Sequence, residues 1–138
     1  MTKSDFTKVT LSDECLYGPR KLLLCGFSPE NQSKFKTLLQ MLEFEKIPVV
    51  WVSDRQSENE LHELLALPDG HGRDQSSNLP RALIVCGVTQ KELHRLMNGC
   101  RQSGMQKALW AVLTPTSEQW TIRKLLAELA AEHKALSK

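Results

Sequence analysis

Two short segments of the chain share one arrangement of chemically useful residues. In each, a cysteine and a glycine end an apolar run, and a serine or threonine follows two positions after the glycine, where a helical pattern begins. A hydroxyl and the positive end of a helix dipole at such a turn favour binding of a small anion or phosphate group. The candidate ligand-binding residues are therefore Cys25, Gly26, Ser28, Cys86, Gly87 and Thr89.

The same residues also have sufficient structural roles. A cysteine packs as a small hydrophobic side chain, a glycine permits a tight turn after a strand, and a serine or threonine caps a helix. Neither segment has the glycine spacing of a nucleotide-binding loop, G-x-G-x-x-G or G-x-x-x-x-G-K-[ST]. A thiol just before a helix is also a potential nucleophile, which makes Cys25 an alternative reactive group. The loop Gly26–Pro29 is, however, shorter than the loops of phosphotransfer domains that carry such a cysteine.

No other group of residues forms a recognisable catalytic or metal-binding motif. The four histidines occur in neither an H-x-x-x-H nor an H-E-x-x-H pattern, and the four cysteines form no C-x-x-C. We therefore predict no catalytic residues, no metal site and no cofactor. The sequence favours a binding or regulatory module over an enzyme, with a small-anion or phosphate-binding protein or enzyme as the alternative.

Trp120 is a candidate for contact with a protein partner, because tryptophan is favoured at binding hot spots. Alternatively, it braces the preceding turn, Thr114–Thr116. The final predicted helix, Thr121 to Leu136, carries an apolar stripe that either covers the sheet or pairs with another protomer. The predicted partners are therefore an unknown protein or a small anionic ligand, with a homodimer as a further expectation.

The chain contains an internal repeat at an offset of 61 positions (86 − 25). Leu22–Ser28 resembles Leu83–Thr89, and Leu61–Ala66 resembles Ile122–Ala127 at the same offset without gaps. An offset that persists from a strand to a second helix indicates duplication of one folding unit.

Each unit follows the order strand, helix, strand, helix. The strands are continuous apolar runs, which are typical of strands buried on both faces. They are predicted at Lys21–Cys25, Ile47–Val52, Ala82–Cys86 and Ala108–Leu113. The helix starts are predicted at Ser28-Pro29 and at the capping boxes Ser57–Glu60, Thr89–Glu92 and Thr116–Gln119. The units span residues 21–67 and 81–136 of a single domain, 1–138, and a flexible linker, 68–80, joins them.

Alternation of strands and helices predicts an α/β fold with helices on both faces of a parallel sheet. We expect a duplicated βαβα unit that forms a four-stranded, mainly parallel sheet of order 2-1-3-4, with a pseudo-twofold axis between strands 1 and 3. If strands 1 and 3 are parallel, Cys25 and Cys86 end side by side at one edge, where open α/β sheets place their ligands. A ferredoxin-like sheet is the alternative, but its pattern lacks the extra helix in each half.

Bulk composition places the chain among ordinary globular proteins. It has 138 residues, of which 41% are hydrophobic and 25% are charged, and a net charge of +2. Interspersed basic and acidic residues argue against nucleic acid binding, and no apolar run reaches the length of a membrane span. The first residues lead into no apolar signal segment, so we predict a soluble cytoplasmic protein. Its cysteines are then reduced, which argues against a disulfide between Cys25 and Cys86.

The second unit resembles a known family. The segments that carry the resemblance are Ala108–Thr116, Trp120-Thr121 and Leu125–Leu129. They look like an uncharacterised bacterial family of small proteins, labelled as a domain of unknown function, over roughly Leu83 to His133. The resemblance implies a soluble bacterial protein and carries no substrate, cofactor or catalytic residue. Position 110 is Trp, where the resemblance leads us to expect Lys.

Overall fold

A four-stranded sheet with helices on both faces forms the fold. The computed structural model describes residues 14–105 and 107–136, and the side chains of the last helix up to residue 132. The strands are β1 (Lys21–Cys25), β2 (Val49–Val52), β3 (Ala82–Cys86) and β4 (Leu109–Val112). The helices are α1 (Pro29–Met41), α2 (Leu61–Leu65), α3 (Gln90–Gln102) and α4 (Ile122–Leu136), with 3₁₀ turns at Asp54–Gln56 and Ser117–Gln119.

The strand order β2-β1-β3-β4 confirms the predicted order. β1 pairs with β2 in parallel and β3 pairs with β4 in parallel, so the sheet is mainly parallel as predicted. The central strands differ from the expectation, because β1 and β3 are antiparallel. The prediction of parallel central strands is therefore wrong. A pseudo-twofold axis normal to the sheet relates the two halves. Rotation about such an axis places β1 on β3 with the opposite direction, so the two strands are antiparallel.

Residues that are 61 positions apart face each other at the centre of the sheet. Leu23 pairs directly with Ile84, and both lie on the same face. The register of the outer pairs repeats at the same offset, because Leu22 pairs with Val49 as Leu83 pairs with Trp110. These matched pairs support the predicted duplication, which stays a prediction about the origin of the chain.

A second junction joins the halves through the starts of α2 and α4. The amide of Leu61 donates to the carbonyl of Trp120 at 3.0 Å, and the amide of Ile122 donates to the carbonyl of Asn59 at 3.0 Å. The two bonds are equivalent at the offset of 61, because Ile122 is the counterpart of Leu61 and Trp120 is the counterpart of Asn59. They satisfy amide groups at the starts of both helices that have no partner within their own helix.

The two faces of the sheet carry separate hydrophobic cores. α1 and α3 cover one face, where Phe27, Phe35 and Trp51 form edge-to-face contacts with ring centroids 5.3–6.3 Å apart. α2 and α4 cover the other face, which includes Leu23 and Ile84. Both of these strand residues are fully buried, and each contributes about 1.5–3 kcal/mol relative to exposure. Because successive side chains of a strand point to opposite faces of the sheet, the buried strand residues are divided between the two cores.

Two of the predicted helix starts are in the wrong place. α2 begins after Glu60, whose amide donates to the carboxylate of Glu63 at 2.9 Å, and not at a cap formed by Ser57. α4 begins after Thr121, whose hydroxyl accepts from the amide of Lys124 at 3.1 Å. In the second half a 3₁₀ turn, Ser117–Gln119, occupies most of the segment that carries the capping pattern, and in the first half the 3₁₀ turn Asp54–Gln56 ends just before it, so each helix starts later than predicted.

The segment between the halves, 68–80, which was predicted to be a flexible linker, is irregular in structure and is hydrogen-bonded to β2. Gly70 donates its amide to the carbonyl of Val49 at 2.8 Å, and the amide of Trp51 donates to the carbonyl of His71 at 2.8 Å. The segment therefore covers the outer edge of β2. Within the described residues, no helix combines the length and apolar character that a membrane span requires.

Candidate functional site

The two cysteine–glycine turns lie at opposite ends of the central strand pair, β1 and β3. Cys25 pairs with Ala82 and Cys86 pairs with Lys21, so four strand positions separate the cysteines (86 − 82). At about 3.4 Å per residue this is about 13 Å. Both cysteines lie on one face, as the strand alternation predicts, but their predicted adjacency is wrong because the central strands are antiparallel. The candidate residues of the two turns therefore do not form one crevice.

Burial makes both of these thiols chemically inert. Cys25 and Cys86 have no exposed surface, and desolvation raises the pKa of each to about 12. A thiol with such a pKa stays protonated near neutral pH and is a poor nucleophile. This environment argues against Cys25 as a reactive group.

Gly26 and Gly87 are required by the close approach of backbone at each turn. Their φ angles are +78° and +69°, in the region that favours glycine. A Cβ atom on Gly26 would lie 2.5 Å from the carbonyl oxygen of Leu79, and one on Gly87 would lie 2.5 Å from the amide nitrogen of Arg20. The structural role of these glycines is therefore sufficient to explain them.

Ser28 and Thr89 both cap the helices that follow them. Ser28 Oγ accepts from the amide of Asn31 at 3.3 Å, and Thr89 Oγ1 accepts from the amide of Glu92 at 3.0 Å. The amide of Thr89 also donates to Glu92 Oε1 at 2.9 Å, which confirms the predicted capping box of α3. The two helix starts differ at their third residue, which is an amide in α1 and a carboxylate in α3.

The carboxylate in α3 forms a bidentate pair with Arg20. The two terminal nitrogens of the Arg20 guanidinium donate to the two carboxylate oxygens of Glu92 at 2.6 and 2.7 Å. The hydrogen bond from Arg20 is the main reason that the pKa of Glu92 falls to about 2. The fork of an arginine matches a carboxylate in this geometry.

Arg81 is the counterpart of Arg20 at the offset of 61, but Asn31 stands where a carboxylate would complete the pair. Arg81 stacks on Phe27, with its guanidinium carbon 4.2 Å from the ring centroid. Its Nε donates to the carbonyl of Gly26 at 3.1 Å. Among the described residues, no carboxylate forms an ion pair with it. Burial lowers the pKa of Arg81 from its ordinary value, yet the side chain remains charged at neutral pH.

Arg81 lies in a groove of about 380 Å³ between α1 and the loop after α3. We call this cavity the Arg81 groove. Besides Phe27, which stacks under Arg81, four apolar side chains form its walls: Phe35, Leu38, Met41 and Met105. Met41 is 74% exposed, which is unusual for a large apolar residue. Asn31, Lys34, Thr37 and Ser103 are polar and complete the lining with Phe27 and Gly104. The charged groups of the lining are thus both cationic.

Trp120 is half-buried and packs against the core under α2 and α4. Its amide donates to the carbonyl of Ser117 at 2.9 Å, and Lys124 Nζ lies 4.9 Å from its ring centroid. Ser117 in turn accepts and donates hydrogen bonds with Thr114 at 3.0 Å. These contacts support the bracing role of Trp120 at this turn. Contact with a partner stays a prediction.

Comparison with known proteins finds a family match in the second half of the chain. Residues 81–136 match a family model described as a domain of unknown function (DUF3783). This match confirms the resemblance to an uncharacterised domain family, and its bounds coincide with those of the second βαβα unit. No curated protein and no solved structure matches the chain. In the part of the chain that the structure describes, no cluster of three or more His, Cys, Asp or Glu residues is placed to hold a metal ion.

Sequence analysis missed the Arg81 groove, although a signal for it is present. Pro19-Arg20 and Pro80-Arg81 repeat at the offset of 61, whereas Glu92 and Asn31 differ at that same offset. A repeated cation with an unrepeated partner indicates one arginine that lacks the carboxylate its counterpart has.

Proposed function

We propose that the protein is a binding module that takes a carboxylate ligand with an apolar body into the Arg81 groove. The carrying observation is that Arg20 has a bidentate carboxylate partner, whereas its counterpart Arg81 has no such partner among the described residues. A ligand carboxylate at Arg81 would occupy the position that Glu92 occupies beside Arg20. Because the Nε of Arg81 already donates to Gly26, the ligand would bind through the outer nitrogens of the guanidinium.

Stacking on Phe27 supports this role for Arg81. The ring and the hydrogen bond to Gly26 restrain the guanidinium, so little conformational entropy is lost when a ligand binds. Partial burial also strengthens the interaction with an anion, because the local dielectric constant is lower than in water. Arg81 is therefore oriented before the ligand arrives.

The walls of the groove favour an apolar ligand body. Phe35, Leu38, Met41 and Met105 provide an apolar surface next to the cation. The volume of about 380 Å³ lies within the usual range of small-molecule sites. Burial of each CH₂ group contributes about 0.8 kcal/mol before the cost of association. A fatty acid of about eight carbons is then expected to bind weakly, with a dissociation constant of about 1–10 mM.

The chemistry of the groove supports binding over catalysis. Its described lining includes no histidine, cysteine or carboxylate, so it offers none of these groups as a general base or nucleophile. The buried thiols of the sheet cannot serve in their place. A binding or regulatory role therefore fits these residues better than an enzymatic one.

Calorimetric titration with octanoate tests the proposal. We expect one site in the native protein, binding weakened at least tenfold by Arg81→Gln, and no change in affinity with the matched control Arg20→Gln. Octanol and acetate separate the contributions of the carboxylate and the apolar body, and both are expected to bind more weakly than octanoate. Equal binding of octanoate by the native and Arg81→Gln proteins would refute the proposal. Inorganic phosphate that binds more tightly than octanoate would instead support a small-anion site.

A further inference from the structure

The two outer edges of the sheet are treated differently by the chain. At β2, a short segment of turns, Asp69–Gly72, lies along the edge and contacts it through one parallel bridge between Val50 and His71. Gly70 donates to the carbonyl of Val49, and Trp51 donates to the carbonyl of His71, both at 2.8 Å. The carboxylate of Asp69 also accepts from the amide of Val49 at 2.9 Å. The amide and carbonyl of Val49 and the amide of Trp51, which point outward from β2, therefore have partners.

The corresponding edge of β4 has no such cover among the described residues. The amide of Leu109 donates to the carbonyl of Arg81, just before β3, at 2.9 Å, and the amide of Leu113 donates to the carbonyl of Val85 in β3 at 3.2 Å. Because the direction alternates along a strand, the backbone groups of Trp110 and Val112 point outward. In the first half, the chain returns along the outer edge of β2 at Asp69. The counterpart of Asp69 at the offset of 61 is residue 130, which lies within α4, so the second half does not return along β4 in this way. Val112 is correspondingly 38% exposed.

The surroundings of β4 are apolar and basic. A groove of about 280 Å³ runs between α3 and β4. Its lining residues are Met97, Cys100, Arg101, Met105, Lys107, Ala108 and Trp110. Arg101 and Lys107 are exposed, and no carboxylate belongs to this lining. A segment that docks here therefore gains from carrying an acidic group.

We propose that the β4 edge binds a short turn-forming segment of a partner protein, led by an aspartate, through the same contacts that Asp69–Gly72 makes with β2. The aspartate accepts from the amide of Trp110 near Lys107, as Asp69 accepts from Val49. The next residue donates its amide to the carbonyl of Trp110, and the one after it accepts from the amide of Val112. The contacts of Asp69–Gly72 with β2 supply this pattern at the offset of 61.

The template also specifies small residues in the partner. Gly70 and Gly72 both have positive φ angles, +86° and +83°. A Cβ atom on Gly72 would lie 2.1 Å from the carbonyl oxygen of Trp51, so no larger residue fits there without displacement of the backbone. The partner segment is therefore of the type Asp-Gly-x-Gly.

Titration of the ¹⁵N-labelled full chain with a capped peptide that has the sequence of residues 67–73 tests this inference by NMR. We expect chemical-shift changes that concentrate on residues 107–113, weaken with added salt, and saturate in the millimolar range typical of weak edge pairing. A control peptide with Asn in place of the aspartate is expected to bind at least threefold more weakly.

Two variants distinguish docking on the edge from non-specific contact. Val112→Pro removes one outward amide that takes no part in pairing with β3, and we expect it to abolish the shifts. Lys107→Ala leaves the strand unchanged, and we expect it to weaken binding at least threefold. The inference is wrong if no shifts occur at residues 107–113 up to about 5 mM peptide, or if the Asn peptide binds equally. Shifts of these residues that appear without peptide when the protein is concentrated would assign the edge to a second copy and overturn the proposal.

Discussion

Replacement of Asn31 by glutamate should create, in the first half of the molecule, the ion pair that Arg20 forms in the second. Position 31 is the third residue of α1, as position 92 is the third residue of α3. A glutamate there reaches Arg81 by the equivalence of the two halves. It also completes a capping box with Ser28, whose hydroxyl already accepts from the amide of residue 31.

Asn31→Glu is expected to stabilise the protein by about 1 kcal/mol. The reference pair is partly exposed, with 45% of the Arg20 side chain and 23% of the Glu92 side chain accessible, so we assign it about 0.5–1 kcal/mol. The added capping bond contributes about 0.5 kcal/mol more. For a chain of 138 residues, the combined effect raises Tm by about 3–5 °C.

A double-mutant cycle between positions 31 and 81 isolates the ion pair from the capping bond. Thermal and urea unfolding of the native protein, Asn31→Glu, Arg81→Gln and the double variant give the coupling free energy. We expect a coupling of about 0.5–1 kcal/mol that decreases in high salt. A coupling below about 0.2 kcal/mol, with Asn31→Glu folded, would refute the equivalence of Arg81 and Arg20.

Three further predictions concern pH, thiol reactivity and backbone fit. The pKa of Glu92 is lowered to about 2 in the folded protein, so the ionised carboxylate stabilises the fold fully above the unfolded-state pKa of about 4.5. This stabilisation is lost as pH falls from about 4.5 towards 2, and Glu92→Gln should flatten that part of the dependence of unfolding free energy on pH. In the native protein the exposed thiol of Cys15 should react with a thiol reagent within minutes, whereas buried Cys25 should react only on unfolding, as mass spectrometry of the labelled protein will show. Gly72→Ala should destabilise the protein by more than about 2 kcal/mol in urea unfolding, because its Cβ would lie 2.1 Å from a backbone oxygen, whereas the control Gly104→Ala, with a similar φ and open space, should cost about 1 kcal/mol. Equal losses from these two substitutions would contradict the account of the β2 edge.

The strands could be predicted because local signals determine them, whereas their order was inferred from the joining of two equivalent halves. Lys21–Cys25 and Ala82–Cys86 contain apolar runs that are followed by glycine, and both strands have the predicted bounds. The antiparallel centre could not be read from the same signals, because a repeat in the sequence does not specify the direction of its symmetry axis. The pairing of Leu23 with Ile84 is a tertiary property.

The candidate site was predicted only in part, for a related reason. The turns after β1 and β3 were identified correctly as strand ends followed by helix caps, but their placement at one edge depended on the direction of the central pair. The Arg81 groove depends on residues distant in the sequence, since Met41 and Met105 meet Arg81 only in the folded chain. Composition and periodicity contain no information about such a meeting.

The central claim is that Arg81 holds the carboxylate of a ligand in the position that Glu92 takes beside Arg20. Titration of octanoate into Asn31→Glu tests it most directly, because this variant supplies the carboxylate from within the chain while keeping every groove side chain except Asn31. We expect one octanoate site in the native protein and at least tenfold weaker binding in Asn31→Glu, together with a higher Tm for the variant. Unchanged octanoate affinity in a folded, more stable Asn31→Glu protein would contradict this claim.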